Sequence, residues 1–550
     1  METFNLFFLI PRRLLVGMVL CLFVCTSALA ERKAIDIREF GAQPGEKTPC
    51  TKAIQKAIDK CSRQGGGTVY LPPGNWLSGT IFLKSHVTLW LENGSTLTGS
   101  KDLKDYQLHR PKIRSHTDKY VNRSLIAGED LENIAIRGRG RIYGSGEAFP
   151  KRDYLTRPFV IRLINCRDVL VEGITLENSP MWMQLYLACE RLMVRGIRVD
   201  NHTSFNNDGL NIDSCRDVCV SDCIIDSDDD AIAIKSSCER PCENVVITNC
   251  VLSSKNNGIK MGTESHGGFK NINITNCTIH ASPVRKSSAI PGIPGGRVER
   301  GIILLVYDGG TMDGINISNI TMDGVYTPIG LGLRTAHRPY EKNMPKKPIG
   351  TFRNIIISNI VGTRLGKRGC HISGLPEHPI ENILLSNVKL TFDGGGTQDD
   401  ADKKIRDSTG RLPGAPESGS QYSPLPGYGF YIRHVKGLTL RDVQLCTEEL
   451  DLRPALACDY VENLRIDNLD AKVWPDVVAM IRMLQVQDAL ICGCRPPSAI
   501  ESFLRLQGKA TRDIVLAAND FGKVRKIADQ TTEVSTDALT QIGNKIPKKK

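Results

Sequence analysis

The chain has 550 residues, 24% of them charged, and a formal net charge of +11. That length exceeds an ordinary single domain, so it implies either several cores or a solenoid, in which each unit contacts only its neighbours. The modest basic excess fits a polyanionic partner, and the lack of a basic stretch interleaved with aromatics argues against nucleic acid.

Residues 1–30 read as a signal peptide. Arg12 and Arg13 precede an apolar run from Leu14 to Cys25, and Ala28-Leu29-Ala30 supplies a small-residue cleavage site. The run is too short for an ordinary membrane span, and no later run of 18 apolar residues follows. The expectation is an exported protein, periplasmic or secreted, without a membrane span.

Residues 31–100 read as an N-terminal cap with the first coils. From Thr51 to Cys61, the residues Ala53, Ile54, Ala57 and Ile58 fall at helical spacing. Gly65-Gly66-Gly67 ends this helix, and strands Thr68–Leu71 and Val87–Leu91 follow. Such a helix covers the open sheet edges of a first coil.

From 101 to 530 a short unit recurs. Its marker falls at 168, 191, 217, 244, 271, 314, 354, 382, 437, 463, 488 and 513, mostly 23 to 28 residues apart. Five residues after successive markers stand Gly173, Gly196, Asp222, Asn249, Asn276, Asn319, Asn359, Asn387, Asp442 and Asn468. These types tolerate left-handed backbone at tight turns. One residue further stands an apolar column, from Ile174 and Ile197 to Leu469. Stretches such as Ile355-Ile356-Ile357-Ser358 are β-branched and short. One coil per repeat, stacked at roughly 4.8 Å, gives a single-stranded right-handed parallel β-helix of the all-β class.

Three insertions interrupt the coils, at Ala281–Arg300, Thr335–Gly350 and Gly394–Tyr428. Insertions on one side of a solenoid build its binding face. Residues 531–550 read as a polar, basic tail. Removing Cys21 and Cys25 with the leader leaves 16 of the 18 cysteines. Cys166, Cys189, Cys215 and Cys242 share one column, and Cys223, Cys250 and Cys277 another. Columns of this kind are expected to be packed thiols, with Cys238/Cys242 and Cys492/Cys494 left open as bridges.

Two motifs carry the chemistry. Asn206-Asn207-Asp208-Gly209 and Asp228-Asp229-Asp230 lie one repeat apart. Alignment on the following strands puts Asp208, Asp230 and Asn257 in one column, with Asp229 one residue earlier. Crowded carboxylates raise at least one pKa, so one can donate a proton while its neighbours activate water. Together they suit acid/base cleavage of a glycosidic bond.

Several stretches resemble glycoside hydrolase family 28, the polygalacturonase-type pectin hydrolases. These are Ile35–Ala42, Gly65–Gly74, Arg157-Pro158, Asn178-Ser179-Pro180-Met181-Trp182, and the two Asp motifs. The resemblance spans about 35–470 and implies Asp229 as general acid, with Asp208 and Asp230 holding water. It implies inverting hydrolysis, with acid and base roughly 6.5–9.5 Å apart. Two motifs depart. The family's Gly-His-Gly corresponds to Asn256-Asn257-Gly258, and its Arg-Ile-Lys falls at the cation-free Gly301–Leu305. Galacturonate specificity is therefore not implied.

Asn207, Asn257, Lys260 and His266 are candidate substrate-binding residues, with Lys235 beside them. No metal or cofactor is expected. The expected partner is an acidic, plant-type polysaccharide or oligosaccharide, taken by a monomer. Two alternatives stand beside a pectic hydrolase: a calcium-assisted polysaccharide lyase and a non-catalytic carbohydrate-binding β-helix.

Overall fold

The computed structural model describes residues 34–45, 47–282, 284, 295–405 and 422–546. The leader read at 1–30 and Lys548-Lys549-Lys550 lie outside those residues. So do parts of the first and third insertions.

Thirty-seven strands form one continuous sheet with parallel register throughout. The coils around the site contribute three strands each, and farther along these merge into longer strands such as Phe430–Thr447. Gln184–Leu187, Glu190–Arg195 and Arg198–Asn201 form one coil. Leu210–Asp213, Arg216–Ser221 and Ile224–Ser227 form the next. Each strand pairs with its counterpart one coil away, for example Val194 with Val220 and Val220 with Ile247. The chain is a right-handed parallel β-helix.

The period of two explains the core. Val171, Val194, Val220, Ile247, Ile274 and Ile317 stand in register on successive coils, each fully buried. Each such side chain contributes about 1.5–3 kcal/mol by leaving water.

The turn columns are left-handed as their residue types require. The markers Asp168, Arg191, Asp217, Asn244 and Asn271 have φ of 49–58°. Asp222, Asn249, Asn276, Asn319, Asn359, Asn387, Asp442 and Asn468 have φ of 51–59°. Side chains ladder between coils: Asn271 donates to Asn244, and Asn244 to Asp217, both at 2.8 Å.

Helix α1 (Thr51–Arg63) buries Ala53, Ile54, Ala57, Ile58 and Cys61 over the first coil. All sixteen cysteines from Cys50 to Cys494 are free thiols. The bridges left open at Cys238/Cys242 and Cys492/Cys494 are not formed. The tail reading from 531 is corrected at the C-terminal end. Leu539–Ile542 pairs in register with Arg512–Ala517, and Lys545 reaches Asp520 at 3.1 Å. The coil therefore runs past 530, because Leu539 still has an apolar rung to cover.

Candidate active site

Leu210, Ile232 and Ile259 stand in register on three successive coils. Asp208, Asp230 and Asn257 each precede these residues by two, so the three coils present them at one turn. Gly209 is required there: a Cβ would lie 2.5 Å from Ile225 and 2.7 Å from the Ala231 carbonyl. Each of Asp208, Asp229 and Asp230 offers a carboxylate oxygen within 4.8 Å of the others. Between nearest oxygens, this is tighter than the spacing expected between whole acid and base carboxyls.

The sequence reading set Lys260 and Lys235 beside the site as candidates to face substrate; the structure pairs both with the carboxylates. Lys235 pairs with Asp208 at 3.2 Å, and Lys260 with Asp230 at 2.7 Å. The Lys235 ammonium also lies 3.6 Å above the Trp182 ring. Both lysines follow the site on outward-facing positions of strands Ile232–Ser236 and Asn257–Ser265. A divalent ion would have to displace both ammonium groups from these carboxylates.

Asn257 donates from Nδ2 to Asp230. Asn256 does the same to Asp229 at 2.7 Å, and Asn206 at 3.3 Å. Asn207 is fully buried and donates to the carbonyls of Ser179 at 2.8 Å and Met181 at 2.9 Å. Its amide is therefore committed to the backbone of the Asn178–Trp182 stretch. Arg157 donates to the Phe205 carbonyl at 2.6 Å and to Asn206 Oδ1 at 3.3 Å, fixing the loop before Asp208.

Asp229 lines a cleft of about 910 Å³, whereas Asp208 and Asp230, 2% and 1% exposed, lie behind it. Burial, then the charge of Asp230, push the Asp229 carboxyl up to about 6, against Lys260 and Asn256. Burial also raises the Asp208 carboxyl, with Lys235 opposing. Burial works against the Lys260 ammonium, but Asp230, Glu264, Asp229 and Asp208 outweigh it and hold the charge.

The cleft also takes residues that the sequence did not single out. Arg300 stands in register with Asn257 and donates to Asn256 Oδ1 at 2.9 Å. The cation absent from Gly301–Leu305 is thus found one residue earlier. Ile303 and Leu305 instead pack with Tyr307 under Ala336. Arg338 arrives from the second insertion and bonds Asp308 at 2.6 and 3.0 Å. Tyr422 arrives from the third and donates to Glu299 at 3.2 Å. His202 contacts Asp228 at 2.9 Å; burial opposes its charge, but Asp226 and Asp228 raise it to about 9. His266 lines an adjoining cavity of about 270 Å³ and not the cleft. Its Nε2 is 2.8 Å from the Arg338 carbonyl, and its Nδ1 is 3.7 Å from Asp308.

The chain is similar to known proteins over much of its length. Residues 61–409, which are 349 of 550, match the model of the glycosyl hydrolases family 28. A probable polygalacturonase of Vitis vinifera is 34% identical over 212 residues, covering 36% of this chain and 43% of that protein. A probable rhamnogalacturonase A of Aspergillus oryzae is 26% identical over 211 residues, covering 38% of this chain and 42% of its own length. The chain therefore spans less than half the length of either relative. The crystal structure of an exopolygalacturonase from Thermotoga maritima aligns with a TM-score of 0.57 at 25% identity, over 66% of this chain and 87% of that one. The chain belongs to the glycosyl hydrolases family 28.

Proposed function

We propose that this chain hydrolyses glycosidic bonds in an acidic pectic polysaccharide, with inversion, using Asp229 as general acid. The carrying observation is that Asp229 is the member of the trio that opens on the cleft, and its carboxyl is pushed up to about 6. A proton moves from Asp229 to the glycosidic oxygen as the bond to the anomeric carbon breaks. Water held by Asp208 and Asp230 attacks that carbon from the opposite face and gives up its proton to the carboxylates. Oxygens within 4.8 Å let one water bridge two carboxylates at about 2.8 Å each.

The substrate class follows from the cleft's charge and from the family. Lys119, Lys151, Lys255, Lys260, Arg300 and Arg338 line it, against Asp228, Asp229, Glu264 and Glu299. Six cations facing four acids favour a uronate-bearing chain, of galacturonan or rhamnogalacturonan type. Lys255, half-buried beside Asn256, and Lys260 are suited to face a substrate carboxylate. Export follows from the leader read at 1–30. Among the described residues no helix is long and apolar enough to cross a membrane.

The test is reducing-end release from polygalacturonate and rhamnogalacturonan fragments, with and without chelator. Hydrolysis of either that survives chelation, without unsaturated ends, is the expected result. Activity that needs calcium and leaves unsaturated ends would mark a lyase. Binding without cleavage would mark a non-catalytic β-helix.

A further inference from the structure

Strand Asn257–Ser265 carries a fourth carboxylate to the cleft. Its pairing with Ile232–Ser236 runs from Ile234↔Met261 to Ser236↔Ser265, so the upper strand holds two extra residues. This irregularity sets Glu264, the neighbour of Ser265, over Lys235 on the coil beneath. Glu264 lines the cleft, is 5% exposed, and its Oε2 has no hydrogen-bond partner among the described residues. Its Oε1 lies 3.8 Å from Arg338, whose own hydrogen bonds go to Asp308 and Thr263.

The charges of Lys235, Arg338, Lys260 and His116 act on Glu264, and Tyr120 feels its charge. Together they outweigh burial and hold this carboxyl well below the usual range, so it is ionised. Lys235 is bonded to Asp208 and Lys260 to Asp230. Arg300 faces the trio only through Asn256 and Asn257, and Asp228 is held by His202. Lys235, Lys260 and Arg338 are therefore three cations among five carboxyl groups, Asp208, Asp229, Asp230, Glu264 and Asp308. Ionising all five would leave two buried charges without a partner, which is costly. The cluster answers by keeping a proton, and that proton belongs to the group as a whole.

We propose that Glu264 is a positioning residue: its carboxylate shares Lys235 and Lys260 with the aspartates and so keeps one proton on the Asp208–Asp229–Asp230 trio. The idea rests on the reading of Asp229 as the acid. Without Glu264, both ammonium groups would serve the aspartates alone, and the trio would give up its proton at lower pH.

The test compares wild type, Glu264→Gln and Glu264→Asp by two readouts. One is the pH dependence of kcat/KM on a pectic oligosaccharide. The other, free of any substrate, is an infrared titration of the protonated-carboxyl band. Glu264→Gln is expected to move the alkaline limb and the infrared titration down by at least about half a pH unit, roughly threefold in rate on that limb. Glu264→Asp should move both in the same direction by less. A uniform loss of rate at every pH, with the infrared titration unmoved, would mark a merely structural residue and overturn the proposal. Should Glu264→Gln not fold, an unmoved titration in Glu264→Asp would overturn it equally. No wild-type hydrolysis of any fragment, with the infrared shift still present, would sink the hydrolase reading and leave the charge sharing intact.

Discussion

Asp168 and Asp229 are the same residue in the same solenoid, and they meet opposite environments. Asp168 sits in a turn column at φ 55°, with its side chain 44% exposed. Arg191, one coil away, grips it at 2.5 and 2.7 Å and holds it below the usual carboxylate range. Asp229 has Asp208 and Asp230 for neighbours, loses water, and is pushed up to about 6. Stacking brings polar side chains together in both regions. What separates them is the partner on the next coil and whether water still reaches the pair. At Asp168, Asp217 and Asp222 the turn ladder meets each carboxylate with a guanidinium or an amide; the cleft places carboxylate beside carboxylate and then limits the cations.

The largest effect that would break this comparison is catalytic. Asp229→Asn should cut kcat by about 10²–10⁴-fold with the fold retained, since a positioned general acid is worth that much. Asp168→Asn should leave turnover unchanged and cost under about 1 kcal/mol, as exposed pairs do. Reducing-end assays and thermal melts on both variants check this. Comparable losses at the two positions would erase the distinction.

Next in size is the buried pair. Lys260→Met leaves Asp230, 1% exposed, without its ammonium. Breaking a buried pair from one side costs about 3–5 kcal/mol, measurable by denaturant unfolding. Loss of less than about 1 kcal/mol would place this pair with the surface bridges of the turn columns.

A subtler effect lies in the pH dependence of stability. The Asp229 carboxyl is raised in the folded state, so its contribution is present below the ordinary carboxylate range and is lost as pH rises through about 6. The melting temperature of wild type should fall over that window more than that of Asp229→Asn. Parallel curves would mean that Asp229 is not raised. The smallest effect belongs to the ladder: Asn244→Gly keeps the left-handed turn, removes the 2.8 Å bonds to Asp217 and from Asn271, and should cost about 0.5–1.5 kcal/mol per bond in a melt.

Much of this was legible in the sequence because a β-helix writes its period directly. The Asn, Asp and Gly columns mark turns that only such residues make cheaply, and the offset of Asp208, Asp230 and Asn257 from Leu210, Ile232 and Ile259 is kept in the register. What repeats can be read. The cleft's other residues do not repeat. Arg338 and Tyr422 come from insertions, and Glu264 reaches its place through a two-residue irregularity that no column predicts. Lys235 and Lys260 were visible as neighbours of the site. Their pairing with Asp208 and Asp230 depends on side-chain reach between coils, which a one-dimensional pattern does not carry. The seemingly absent cation at Gly301–Leu305 was one residue away, at Arg300, because register with Asn257 fixes its place.

The central claim is that a proton held on Asp229 drives cleavage. The most direct measurement is kcat/KM against pH on a pectic oligosaccharide, for wild type and for the residual activity of Asp229→Asn. The account predicts an alkaline limb in wild type centred near 6, and no such limb in the variant. A wild-type profile that stays flat through that region, or a limb that survives in Asp229→Asn, would contradict it.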